Sequence, residues 1–180
     1  MLIVLTGKSN SGKDTIAKEL QNRGINRILS YTTRPMREGE QDGVEYNFTS
    51  DELMFNNIDL FILLKQYKVA SGQIWNYAFK ESDFNDIRND RYFVIADPFG
   101  ATELKNMFPH DVFIIQFIVG EYARFSRAIK RGDNIDEVLR RLEADEQDFK
   151  DFKADLMLTN ENENQKENNI KFIEKLFIEE

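Results

Sequence analysis

The sequence contains no cysteine and a single histidine, His110, among its 180 residues. Disulfide bonds and cysteine-based zinc sites are therefore excluded. We expect His110, in the segment FPHD, to be a surface residue rather than a metal ligand. No apolar run approaches the length of a membrane-spanning helix, and no amphipathic, arginine-rich leader is visible. We therefore predict a cytoplasmic protein without a membrane partner.

Positive charge is also scarce. The chain has 24 lysine and arginine residues against 32 aspartate and glutamate residues, which gives a net charge of −8 and a pI near 4.9. Such a surface repels a polyanion, so we predict that small molecules, and not nucleic acid, are the partners. With 41% hydrophobic residues, the length suits one compact domain with a full core.

The first twenty residues predict a strand, a loop and a helix. The apolar run from Leu2 to Leu5 is typical of a buried strand, and apolar residues resume at helical spacing from Ile16 to Leu20. Between them lies the spacing GxxxxGK, in which two glycines let successive N–H groups converge on phosphate oxygens at the start of a helix. The lysine reaches the β- and γ-phosphates. The predicted ATP-binding residues are Gly7, Asn10, Ser11, Gly12, Lys13, Asp14 and Thr15.

The position after the lysine departs from the usual pattern. A serine or threonine normally stands there as a ligand of Mg²⁺, whereas this chain has Asp14, followed by Thr15. Because a carboxylate is also a hard oxygen ligand, the sequence predicts a magnesium site at Asp14 or Thr15 and leaves the choice open.

A second informative segment spans residues 30–50. It is polar and interrupted by proline and glycine, which excludes it from the core and is compatible with an ordinary solvated loop. However, it contains Arg34 and Arg37, and a guanidinium group binds phosphate oxygens in a forked geometry. Together with the upstream phosphate-binding loop, this pair predicts a second phosphate site.

Strand and helix patterns alternate along the rest of the chain, which predicts an α/β fold with a parallel sheet. Residues 121–149 form a charged helical region with a break at Gly132 and Asp133, and residues 161–169 are a polar loop. We predict strands at 28–31, 60–69, 72–79, 91–96, 112–119 and 155–158, and helices at 51–55, 80–89, 100–107 and 170–178.

Residues 30–48 resemble the SxxTTRxPRxGExxGxxYxF segment of guanylate kinases. The matching residues are Ser30, Thr32, Thr33, Arg34, Pro35, Arg37, Gly39, Glu40, Gly43, Tyr46 and Phe48, with only the proline shifted. The resemblance extends from the first strand to the last. It implies a P-loop NTPase fold with a central parallel sheet flanked by helices, an acceptor-binding lobe at 32–90 and a helical lid at 127–141. The core would then comprise residues 1–31, 91–126 and 142–180.

The resemblance also implies a role for each matching residue. The acceptor nucleotide would contact Ser30, Arg34, Arg37, Tyr46, Tyr77 and Asp97, and Asn160 would lie beside the adenine of ATP. The catalytic residues would be Lys13 and the lid arginines Arg127, Arg131 and Arg141. ATP and Mg²⁺ are the implied cofactors. No general base is needed, because the acceptor phosphate oxygen is already anionic.

Two guanine-reading positions of that family differ in this chain. The family's glutamate corresponds to Leu63 or a neighbour in FILLKQ, and its serine corresponds to Phe79, whereas Ser30 and Asp97 match. We predict GMP or dGMP as the acceptor. The open alternatives are another nucleoside monophosphate, a ribose bisphosphate, and a non-catalytic guanylate-kinase-like scaffold. The intact phosphate-binding loop favours an enzyme over a scaffold.

Overall fold

The computed structural model describes residues 1–177, which form nine strands, six α-helices and two short 3₁₀ helices. The strands are β1 (Leu2–Gly7), β2 (Asn26–Ile28), β3 (Tyr31–Thr32), β4 (Asn47–Phe48), β5 (Phe61–Lys68), β6 (Ile74–Lys80), β7 (Tyr92–Ile95), β8 (Val112–Ile118) and β9 (Leu156–Thr159). The helices are α1 (Lys13–Asn22), α2 (Asp51–Asn56), α3 (Pro98–Met107), α4 (Glu121–Arg131), α5 (Ile135–Asp148) and α6 (Glu163–Leu176), and the 3₁₀ helices are Ile58–Leu60 and Glu81–Phe84.

A parallel sheet in the order β2-β7-β1-β8-β9 forms the centre of the molecule. Every residue of β1 is buried because helices cover both faces of the sheet, as expected of an all-parallel sheet. Ile3 and Leu5 pack against α1 and α6, whereas Leu2 and Val4 pack against α3 and the segment around Phe84. The predicted α/β fold with a central parallel sheet flanked by helices is confirmed.

A second, mixed sheet in the order β4-β3-β6-β5 carries the region between β2 and β7. The predicted strand at 28–31 is in fact divided between the two sheets, because the chain leaves the central sheet after Ile28 and enters the second at Tyr31. A β-bulge between Ile62 and Lys65 gives Leu63 a left-handed φ of 56°. This bulge changes which face of β5 its later side chains occupy.

Two local predictions were wrong. Lys80 still belongs to β6, and residues 81–89 form the short 3₁₀ helix and turns instead of an α-helix, because their backbone hydrogen bonds join residues three apart, such as Ile87 N–H to the Phe84 carbonyl. Residues 161–169 are mostly helical, since α6 begins at Glu163 with Asn162 as its N-cap, whose side chain accepts from the Gln165 N–H at 3.0 Å. Ile178, the predicted end of this helix, lies outside the described residues.

Helices α4 and α5 meet at the predicted break. Gly132 ends α4 with a left-handed φ of 81°, and the Asn134 side chain caps α5 by accepting from the Glu137 N–H. No helix within residues 1–177 has the length and apolar character needed to cross a membrane.

A buried ion pair connects α4, α5 and the loop after β1. The Arg124 side chain is only 2% exposed and donates to Asp145 Oδ2 at 3.0 Å. The same carboxylate oxygen accepts from the Ser9 N–H at 2.8 Å. Burial raises the pKa of Asp145, and the Ser9 N–H and the charges of Lys13 and Arg124 only partly counteract it. Asp145 therefore positions the loop after β1 relative to α4 and α5.

Replacing Asp145 should be strongly destabilising, because it leaves the Arg124 guanidinium buried without its partner. We expect Asp145→Ala to lower the free energy of unfolding by about 3 kcal/mol in urea titrations. The matched control is Glu143→Ala, which removes an exposed carboxylate of the same helix. It should change stability by less than about 1 kcal/mol. Equal effects of the two substitutions would contradict this account of Asp145.

Candidate active site

A cavity of about 480 Å³ lies at the carboxyl ends of the central strands, between the second sheet and helices α4 and α5. Open α/β sheets place ligands at this edge. The sequence-predicted residues that line it are Gly7, Asn10, Gly12, Lys13, Asp14, Thr15, Ser30, Arg34, Arg37, Tyr46, Tyr77, Asp97, Arg127, Arg131 and Arg141. The fold thus gathers residues from widely separated parts of the chain around one cavity.

The phosphate-binding loop requires glycine at two positions. A Cβ atom at Gly7 would lie 2.7 Å from Ser11 Oγ and 2.9 Å from the Phe117 carbonyl oxygen. At Gly12, which has a left-handed φ of 87°, a Cβ atom would lie 2.7 Å from Asn160 Nδ2. Any other residue would displace the loop from its neighbours, so the GxxxxGK spacing has a steric cause as well as a role in exposing N–H groups.

Ser11 and Asn160 lie behind this loop and do not line the cavity. Asn160 is 3% exposed, and its Nδ2 donates to the Ser11 carbonyl at 2.8 Å. The Ser11 N–H donates to the Lys8 carbonyl at 3.1 Å. Contact of these two residues with ATP therefore stays a prediction. They support the loop from its buried side through the bond from Asn160 Nδ2, whereas Ser11 Oγ and Asn160 Oδ1 are buried without a hydrogen-bond partner in residues 1–177.

The first lid arginine binds backbone carbonyls. Arg127 donates through Nη2 to the Asn160 carbonyl at 2.7 Å and to the Glu161 carbonyl at 3.0 Å, and through Nη1 to the Asn10 carbonyl at 3.2 Å. It therefore fastens the phosphate-binding loop to the segment after β9 while lining the cavity. These contacts assign it a positioning role in addition to the predicted catalytic one.

The other lid arginines are held by acidic residues of α5 and its preceding turn. Arg131 contacts Asp133 and also donates to Asn10 Oδ1 at 2.8 Å. Arg141 donates to Glu137 Oε1 at 2.8 Å, and Arg140 shares the same carboxylate at 2.9 Å. The guanidinium groups thus project toward the cavity with part of their donor capacity already satisfied.

Glu137 joins the lid to the second sheet. Its Oε2 accepts from the Ala70 N–H at 3.1 Å, in the turn between β5 and β6. Burial alone would raise the pKa of Glu137, but hydrogen bonds from Arg140, the Ala70 N–H and Arg141 outweigh it and lower the pKa to about 2. The carboxylate is therefore a charged connection between α5 and the β5–β6 turn.

The predicted acceptor side of the cavity concentrates positive charge beside aromatic rings. Arg34 is 3% exposed, pairs with Glu40 at 2.8 Å, and has its guanidinium carbon 5.2 Å from the centre of the Tyr46 ring. The Tyr46 and Tyr77 ring centres are 6.0 Å apart. Desolvation within the cavity, with the like charges of Arg34 and Arg141, lowers the pKa of Arg37, although part of that side chain remains open to solvent.

Neither Lys13 nor the Arg37 guanidinium forms an ion pair with any residue in 1–177. Both line the cavity, one from the phosphate-binding loop and one from the loop before β4. Two free cations at different positions in one cavity suit a ligand, or a pair of ligands, with two anionic groups.

Asp14 and Thr15 both line the cavity with exposed oxygen-bearing side chains. Either fits Mg²⁺, which prefers oxygen ligands and keeps several positions for water and phosphate. Within the described part of the chain, no three histidine, aspartate or glutamate side chains cluster as a metal site. This arrangement is compatible with a magnesium ion that reaches the protein together with a nucleotide.

Several cavity residues were not predicted from the sequence, including Arg27, Lys65 and Tyr67. Arg27 belongs to β2, and burial lowers its pKa. Lys65 lies directly opposite Tyr77 across the β5–β6 ladder. The alternation of side chains along β5 could have found Lys65 and Tyr67 together, since residues two apart share a face. Nothing in the local sequence around Arg27 distinguishes it from a surface residue.

Replacing Glu137 tests the connection between the lid and the second sheet. We expect Glu137→Gln to reduce the free energy of unfolding by about 1 to 2 kcal/mol at pH 7. Because the pKa of Glu137 is lower in the folded chain than its ordinary 4.5, the carboxylate stabilises the fold above that pH. The difference between the two proteins should therefore shrink as the pH falls from about 4.5 toward 2.

Urea titrations between pH 7 and 3.5 measure this difference, with Glu143→Gln on an exposed position of the same helix as the control. A difference that stays constant over this range, or that the control reproduces, would refute the assignment.

Comparisons with known proteins show the family to which the chain belongs. The family model for guanylate kinase matches residues 1–177. The chain is 32% identical over 143 residues to a guanylate kinase of Desulfitobacterium hafniense (strain Y51), covering 78% of this chain and 71% of that protein. It is 30% identical over 168 residues to that of Prochlorococcus marinus (strain MIT 9312), covering 89% of each.

A solved structure shows a similar fold. The crystal structure of guanylate kinase from Anaplasma phagocytophilum superimposes with a TM-score of 0.71 at 19% identity, covering 98% of this chain and 83% of that one. This likeness concerns the fold alone, whereas the family model spans all the described residues and the sequence relatives reach about a third identity. The chain belongs to the guanylate kinase family.

Proposed function

We propose that this protein transfers the γ-phosphoryl group of ATP to GMP or dGMP and releases ADP and the nucleoside diphosphate. The single observation that carries the proposal is the position of Lys13 and Arg37, two cations without ion-pair partners in the described chain, in the same cavity. Lys13 belongs to the loop that suits the donor, and Arg37 belongs to the loop that suits the acceptor.

The donor would bind with its phosphates against the N–H groups of the loop from Gly7 to Gly12 and with Lys13 at the β- and γ-phosphates. The acceptor phosphate would bind Arg34 and Arg37, with Tyr46 and Tyr77 as neutral hydrogen-bond donors beside them. Since the acceptor oxygen is anionic near neutral pH, these residues need only to orient it and offset charge.

The lid arginines Arg127, Arg131 and Arg141 would stabilise the charge on the phosphoryl group during transfer. Mg²⁺, held by Asp14 or Thr15, would neutralise charge on the β- and γ-phosphates when bound. Closing the lid against the second sheet would exclude water, which otherwise competes as the acceptor. The Glu137 contact with the Ala70 N–H gives such closure a defined connection.

The charge of the chain supports our proposal for its partners. A net charge of −8 supports small nucleotides as partners and argues against nucleic acid. We expect the protein to work in the cytoplasm, where ATP and nucleoside monophosphates are available. A scaffold without catalysis is the contrary outcome of the tests below, and it is less consistent with the free Lys13 in the cavity.

The first test measures ADP formation from ATP and Mg²⁺ with GMP or dGMP. We expect turnover by the unmodified chain and a fall of about 100-fold or more in kcat for Lys13→Ala, because the charge opposite the transferring group is lost. Lys18→Ala, which removes an exposed lysine of the same helix, is the control and should retain full activity. Turnover by Lys13→Ala with an unchanged kcat would contradict the assignment of Lys13 to the ATP site.

The second test addresses the acceptor. Arg37→Ala should raise the KM for GMP about 10-fold to 100-fold and leave the KM for ATP nearly unchanged, because a charge-assisted contact to one phosphate is removed. Arg88→Ala is the matched control, since that side chain is 73% exposed and pairs with Asp111 outside the cavity. An effect on the KM for ATP equal to that for GMP would contradict the assignment of Arg37 to the acceptor.

A further inference from the structure

Lys65 forms the centre of a charged cluster in the cavity wall. Its Nζ lies 2.5 Å from Asp97 Oδ2 and 3.4 Å from Asp148 Oδ1. The Tyr67 hydroxyl donates to the same Asp97 oxygen at 2.6 Å. All four side chains line the cavity, and we refer to Lys65, Tyr67, Asp97 and Asp148 as the base corner.

Three separate elements bring the base corner together. Lys65 and Tyr67 share one face of β5 beyond the bulge at Leu63, so both point toward the same side of the second sheet. Asp97 follows β7 and caps α3, with its Oδ1 accepting from the Gly100 N–H at 2.8 Å. Asp148 ends α5. The cluster therefore joins the central sheet, the second sheet and the end of α5.

An ion pair with only a structural role is the simplest alternative. However, the ammonium group has three N–H donors, and the two carboxylates account for two of them. The Lys65 side chain is 24% exposed and lines the cavity, so the third donor has access to a ligand. Asp97 keeps one acceptor position: Oδ2 takes the Tyr67 hydroxyl and the Lys65 ammonium group, and Oδ1 takes the Gly100 N–H and retains a second lone pair.

A strong donor beside a strong acceptor matches the edge of a 6-oxopurine. In guanine and hypoxanthine the O6 carbonyl is an acceptor and the adjacent N1–H is a donor, whereas adenine presents the two in reverse order. The nearby wall residues Leu63 and Phe79 are apolar and do not compete for this edge. When the acceptor phosphate binds Arg34 and Arg37, it fixes the orientation of the base. The donor and the acceptor of the base then meet Lys65 and Asp97 in one order only.

We propose that Lys65 determines base specificity by donating to O6 of the acceptor purine while Asp97 accepts from N1–H. This inference builds on the proposed phosphoryl transfer and names the part of the substrate that Lys65 reads. Lys65 thus selects a 6-oxo over a 6-amino purine, because an ammonium group cannot accept a hydrogen bond from an amino group and leaves it desolvated without a partner.

The test compares kcat/KM for GMP, IMP and AMP in the unmodified chain and in Lys65→Met, which keeps most of the aliphatic side chain. We expect kcat/KM to fall about tenfold or more for GMP, and by the same factor for IMP, mainly because KM rises. The kcat/KM for AMP should not fall. IMP shares the O6 and N1–H edge and lacks only the 2-amino group. Lys68→Met is the matched control on an exposed position of the same strand and should change nothing.

A second variant controls for a loss of folding in the first. Lys65→Met leaves Asp97 and Asp148 facing each other without a cation, so the double variant Lys65→Met with Asp148→Asn restores the net charge of the base corner. It should show the same loss of the preference for GMP over AMP.

The outcomes distinguish a failure of this inference from a failure of the proposed function. Two results would overturn this inference while the unmodified chain uses GMP. One is a ratio of kcat/KM for GMP to kcat/KM for AMP that is unchanged in both variants, and the other is a higher kcat/KM for GMP once Asp97 has lost its Lys65 partner. Either result would make Lys65 only a structural partner of Asp97. If the unmodified chain turns over none of GMP, dGMP and IMP, the proposed function itself is overturned, and the base assignment with it.

Discussion

The close packing behind the phosphate-binding loop is the constraint on which the rest of the structure depends. Gly7 leaves no room for a Cβ atom against Ser11 and the Phe117 carbonyl, and Gly12 leaves none against Asn160. Asp145 contributes a carboxylate to the Ser9 N–H. A loop that must present its N–H groups to phosphate needs rigid support, because mobile dipoles would have to be reoriented at an energetic cost during the reaction. β8, β9 and α5 provide that support from three directions.

The distribution of charge within the cavity explains how an acidic protein can bind anions. Excess negative charge lies on the exterior, whereas the cavity wall carries Lys13, Arg34, Arg37 and the lid arginines. Several of these cations are held in place by acidic partners, such as Glu40 for Arg34 and Glu137 for Arg141. These carboxylates orient the guanidinium groups before a ligand arrives, which reduces the entropy lost on binding. Lys13 and Arg37 stay without such partners in the described chain and are thus available to phosphate.

The sequence was most informative where a function imposes a short spacing on the chain. GxxxxGK could be interpreted locally because the loop is one continuous segment, and so could the pair Arg34 and Arg37. It was least informative where helix capping or side-chain packing decides the outcome. The polar run at 161–169 looks like a loop, yet Asn162 caps a helix there, and the segment at 81–89 forms turns with hydrogen bonds between residues three apart, while Phe84 and Ile87 pack in the core. Residue composition alone does not contain these contacts.

By itself, the sequence determined the α/β class, the phosphate-binding loop, the arginine-rich acceptor segment and the family resemblance. Each of these depends on contiguous or regularly spaced residues. Only the tertiary structure decided that Asn160 and Ser11 support the loop from behind, that Arg127 binds backbone carbonyls, and that Lys65 meets Asp97 and Asp148. The physical reason is that these contacts join residues tens of positions apart, through a bulge in β5 and the crossing of three elements. No local pattern encodes such distances.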